Sequence, residues 1–101
     1  MNSLDMAIEK IKNTKYFNEK ILSILVFLQR NIHHRIKIIV NKENYHIVNL
    51  EGILKSFKID KSKLIIRVSS NEVIIFLTNI DDFKNSTIIF NKRHEIFLVC
   101  L

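Results

Sequence analysis

The sequence predicts an α+β domain: an N-terminal helix, or two, packed on a five- to six-stranded antiparallel meander that curls into a small barrel. Three observations lead there. Apolar residues recur at helical spacing as far as Ile32 and at alternate positions beyond it. Every connector after that point is two to five residues, too short for the crossover that parallel strands require. Nearly half of the 101 residues are apolar, 48%, enough for one modest core in a single domain of this length. The expected domain is 1–101, helical over 1–32 and β over 33–101.

The helical part begins with Ser3 where an N-cap belongs and Asp5 in the first turn, where its charge suits the helix dipole. Leu4, Ala7, Ile8 and Ile11 follow at helical spacing. Asn13-Thr14-Lys15 breaks the stripe, and both a kink and a turn between two helices fit. The stripe resumes at Phe17, Ile21, Ile24, Leu25, Leu28 and Ile32. Between Ile21 and Leu28 only Ser23 is polar, so this segment is expected to be covered on most sides.

Beyond Ile32 the period becomes 2. Ile36, Ile38 and Val40 share one face, with Arg35 and Lys37 on the other. Lys42-Glu43-Asn44 reads as a turn. Tyr45 to Lys58 is long for one strand and holds the only glycine, Gly52, which marks a bulge or a sharp bend. Asp60-Lys61-Ser62 turns into Lys63 to Ser69, with Leu64, Ile66 and Val68 inward. Ser70-Asn71-Glu72 turns into Val73 to Thr78. Asn79 to Phe83 reads as one capped helical turn. Two strands close the pattern, near Ser86 to Phe90 and Glu95 to Leu101, joined by Asn91-Lys92-Arg93.

The segment Leu50 to Asp60, with its continuation Lys63 to Val68 and Val73 to Phe83, resembles the bent second strand and following strands of Sm-like small barrels. The same stretch resembles the sheet of YolD-like proteins, through Gly52, Leu54, Asp60, Ile65 and Ile80-Asp81-Asp82-Phe83. The resemblance covers about residues 35–83. Likeness to Sm-like barrels implies an oligomer and RNA contact; likeness to YolD-like proteins implies an accessory role. Neither carries a family site onto a residue of this chain.

One glycine, one cysteine and no proline leave no glycine-rich phosphate loop, zinc spacing or nucleophile elbow. No enzyme, cofactor or metal is expected. His33, His34, His46, His94 and Cys100 match no standard ligand spacing, and nothing brings Asp81-Asp82 to Glu51 or Glu72. No secretion signal is read at the N-terminus, no apolar run approaches the ~20 residues of a membrane span, and the lone cysteine fits a reducing cytoplasmic setting.

The net charge is +6, which attracts anionic partners. Isoleucine, lysine and asparagine supply 42 of the 101 residues, all with A/T-rich codons, so placement matters more than the sum. Lys55, Lys58, Lys61, Lys63 and Arg67 cluster on one hairpin, where they serve either a solvated sheet edge or a phosphate-binding face, for which Lys55, Lys58, Lys63 and Arg67 are the candidate residues. Arg30, Arg35 and Lys37 crowd the helix-to-strand junction with His33 and His34. There they serve either the helix C-terminus or a second phosphate-binding corner.

The first functional expectation is therefore a non-catalytic nucleic-acid-binding regulatory module, for RNA or DNA, using these seven residues. The alternative is a protein-interaction module, such as an inhibitor, immunity or accessory factor of a mobile element, acting through a sheet edge or apolar surface. Val73 to Leu77 and Ile96 to Val99 are apolar on both faces, and homo-oligomerisation is expected from them. A contiguous basic face favours the first reading, and a bare edge or exposed apolar strip the second.

Overall fold

Helix α1 (Ser3–Ile11) and helix α2 (Glu19–Arg30) each begin on an asparagine. The Asn2 side chain accepts from the Asp5 N–H at 2.8 Å and that of Asn18 from the Ile21 N–H at 3.1 Å. Each satisfies an orphan donor of the first helical turn. The cap of α1 is thus Asn2, one residue before the Ser3 that the sequence suggests. Of the two readings of Asn13-Thr14-Lys15, the turn between two helices is the one found. The Thr14 hydroxyl donates to the Ile11 carbonyl at 2.9 Å there.

The structure is a computed structural model describing residues 2–42, 45–92 and 94–101, with side chains of 42–48 left aside. The turn read at Lys42-Glu43-Asn44, Arg93 of the last connector and the side chains of Tyr45 and His46 therefore lie outside the described residues. Seven strands follow the helices: β1 (Arg35–Lys42), β2 (Tyr45–Asp60), β3 (Lys63–Val68), β4 (Asn71–Phe76), β5 (Ile80–Lys84), β6 (Thr87–Phe90) and β7 (His94–Cys100). All pair antiparallel in the spatial order β4-β3-β2-β1-β7-β6-β5.

The α+β expectation holds, with seven strands rather than five or six and a sheet that stays open. The extra strand comes from residues 80–84. The sequence reads Asn79 to Phe83 as a helical turn, but the turn is a 3₁₀ element earlier in the chain (Leu77–Asn79), and β5 follows it directly. The strong acidic signal at Asp81-Asp82 mimics a helix start; its use in β5 is described below.

Strand β2 is shared. Its first part, to Ile53, pairs with β1, and its second, from Leu54, pairs with β3 across a bulge between Leu54 and Ser56. Gly52 lies at this changeover. A Cβ there would sit 2.3 Å from Ser69 Oγ and 3.1 Å from both Ser69 Cβ and a Val68 methyl. The end of β3 thus folds over the β2 backbone, and only glycine admits it. Ser69 secures the approach: its N–H donates to the Ile53 carbonyl and its Oγ accepts from the Ile53 N–H.

The concave face of the curled sheet holds the core. Ile36, Ile38, Leu54, Phe57, Leu64, Ile66, Val68, Ile88 and Leu98 meet Ala7 and Ile11 of α1 and Ile21, Ile24, Leu25 and Leu28 of α2. Gln29 Oε1 accepts from the Leu4 N–H at 3.0 Å, tying the two helices together. No described helix is long and apolar enough to cross a membrane.

Candidate functional site

An open sheet has two edges, here β4 and β5, and backbone parity says what each presents. Ser69-Ser70 is a two-residue turn with Val68 opposite Asn71, and Ser69 has positive φ. Such a turn makes the flanking pair a hydrogen-bonded one. Ile66/Val73 and Leu64/Ile75 are then hydrogen-bonded pairs too, and Leu77 continues the series by donating to the Ser62 carbonyl at 2.8 Å. The N–H and C=O groups of Glu72, Ile74 and Phe76 therefore point away from β3, into the open. Among the described residues none of these backbone groups has a partner.

Side chains on β4 divide the same way. Val73 and Ile75 turn to the concave side, and Ile74 and Phe76 stand on the convex side, 52% and 48% exposed. Proteins commonly blunt such an edge with lysine. This chain has 16 lysine and arginine residues, yet none lies on β4. Its single charge, Glu72, is held by Arg67 at 3.3 Å.

The opposite edge is largely covered. Asn85 and Ser86, both at positive φ, set Lys84 opposite Thr87, and a bulge interrupts β5 between Ile80 and Asp82. Of the outward groups of β5, the Phe83 N–H donates to Asp82 Oδ1 at 2.8 Å, and the Asp81 carbonyl accepts from Lys20 Nζ of α2 at 2.9 Å. Asp81 Oδ2 in turn accepts from the Lys92 N–H. Phe27 of α2 packs edge-on against Phe83, with ring centroids 5.9 Å apart.

Between β4 and the far wall of the curl lies an apolar groove of about 620 Å³. Val73 and Ile75 form one side, Phe90 and Ile96 the other, and Val40 and Leu50 the floor. His94, its ring 5.1 Å from that of Phe90, stands at the rim. The groove is the unclosed seam of the barrel, and β4 is its lip.

The seven basic residues read from the sequence are dispersed. Lys58, Lys63 and Arg67 do share the convex face of the β2–β4 hairpins, and Lys55 sits at the β2 bulge. Cross-strand register places Ile65 opposite Lys58, Asp60 opposite Lys63, and Glu72 opposite Arg67. Arg35 and Lys37 lie on the convex face of β1, where Arg35 Nε meets Glu51 Oε1 at 3.2 Å, and Arg30 is exposed in the last turn of α2. The C-terminus of α2 is closed mainly by Asn31, whose amide donates to the Phe27 carbonyl at 2.8 Å. His33 and His34 are exposed beside it.

Among the described residues, no three histidine, cysteine or acidic side chains converge as metal ligands. Glu51 and Glu72 are engaged by arginines, and Asp81 and Asp82 serve the β5 edge. What sequence reasoning missed is the edge position of β4, not its apolar surface. The two-faced apolar character of β4 was readable, but its place at the edge arises because β5 does not pair with it: the chain crosses to the far side of the sheet, where β7 pairs with β1 and β5 becomes the other edge. The chain matches no protein-family model, no curated protein and no solved structure.

Proposed function

We propose that the protein is a non-catalytic protein-interaction module that takes up an extended segment of another polypeptide along β4, over the mouth of the apolar groove. The observation that carries this reading is the bare β4 edge: three unpartnered backbone positions flanked by exposed Ile74 and Phe76. An added strand would satisfy those groups, and alternate side chains would enter the groove, which is how strand addition combines affinity with selectivity. Nucleic-acid binding draws less support, because carboxylates and apolar side chains interrupt every cluster of the seven basic residues, and a phosphate-tracking groove needs continuous positive charge.

Panning short random peptides against the protein tests the reading. The expected yield is peptides with a continuous apolar run, apolar on both faces of an added strand, lost on Ile74→Pro. Proline at 74 removes only an outward N–H and is tolerated on a free edge. Peptides that bind Ile74→Pro equally well, or an absence of any selected sequence, would contradict it. Salt-sensitive binding of a labelled oligonucleotide that weakens in Lys58→Ala/Lys63→Ala would support the nucleic-acid reading instead.

A further inference from the structure

Resting on that reading, we infer that the strand taken up by β4 is β4 of a second copy of this chain, paired antiparallel about a two-fold axis. The first argument is closure. Head-to-tail assembly would need β5 as the complementary edge, and Asp82, Lys20 and α2 occupy it. A chain with one open edge can pair only isologously, which ends at a dimer.

The second argument is the chemistry of the incoming strand. On the convex side it meets Ile74 and Phe76, and on the concave side Val73, Ile75 and the groove. It must therefore be apolar on both faces, and β4 has that property itself. An alternating strand with one polar face would leave half of this surface mismatched.

The third argument is register. Setting Ile74 against Phe76 of the partner subunit joins outward positions with outward positions, so each pair exchanges both backbone hydrogen bonds. It brings the four exposed apolar side chains together. The two Glu72 side chains fall at opposite ends of the paired stretch, so no like charges face each other. Shifting the register to place Ile74 against its own copy would put Glu72 against Phe76 of the partner subunit. One strand pair is a small interface, and association should depend on concentration in the micromolar range.

Sedimentation across that range is the test. The wild-type chain should shift from 12.0 kDa toward twice that mass. Ile74→Lys and Phe76→Glu should each sediment as monomers alone. Mixed, they should form a heterodimer with one Lys–Glu pair and one intact Ile74–Phe76 pair. A dimer that survives both substitutions lies elsewhere and overturns the inference, as do variants that stay monomeric on mixing. A wild-type monomer also overturns it. If that monomer still selects peptides that Ile74→Pro loses, strand docking stands and only the partner is wrong; if it selects none, both readings fall.

Discussion

The two edges of this sheet face the same physical problem and meet it in opposite ways. On β5 a carboxylate caps an outward N–H, a lysine from α2 takes an outward carbonyl, a bulge breaks the line and Phe27 covers Phe83. On β4 the outward groups are left bare, beside exposed Ile74 and Phe76 and without a lysine. Both edges belong to one chain rich in lysine, so composition does not explain the difference. An edge is costly to leave open; leaving one open while largely covering the other is the ground on which β4 is proposed as the docking surface.

The largest expected effect comes from removing the cover. Leu25, fully buried on α2, should cost about 2–5 kcal/mol when changed to alanine, measured by urea denaturation, and should speed amide exchange at Phe83. Matched truncations at the two edges come next. Phe83→Ala removes a half-buried ring packed edge-on against Phe27 and should cost about 2 kcal/mol. Phe76→Ala, at low protein concentration, should stay within about 0.5 kcal/mol of wild type. Equal losses would erase the contrast.

Gly52→Ala tests the bend that carries β3 and β4 out of line with the rest of the sheet. The added methyl meets Ser69, whose hydroxyl already serves the Ile53 N–H, and about 1–3 kcal/mol of stability should be lost. Asn18→Ala removes the N-cap of the covering helix and should cost about 1 kcal/mol. Smallest of all, Ile74→Lys should leave stability within about 0.5 kcal/mol while abolishing uptake at β4, separating binding from folding.

Much of the architecture was legible because it rests on local pattern. The change of period at Ile32 located the boundary between helices and strands. Gly52 announced the bend, and Leu64, Ile66 and Val68 the inward face of β3. Local chemistry also misled: Asp81 and Asp82 look like a helix start because carboxylates suit orphan N–H groups, and here Asp82 caps such a group on a strand edge. Strand order was not legible. Nothing local says that β7 inserts beside β1 and leaves β4 and β5 as the two edges, since that pairing joins residues about sixty positions apart. The basic clusters were visible, but their dispersal by Glu51, Asp60 and Glu72 follows only from register.

Residue-resolved amide exchange in dilute protein tests the central claim most directly. The amides of Glu72, Ile74 and Phe76 should exchange near the rate of an unprotected chain, while those of Val73, Ile75 and Phe83 are slowed. If the three outward amides of β4 prove as protected as that of Phe83 under conditions where the protein is monomeric, the edge is not open and the account fails.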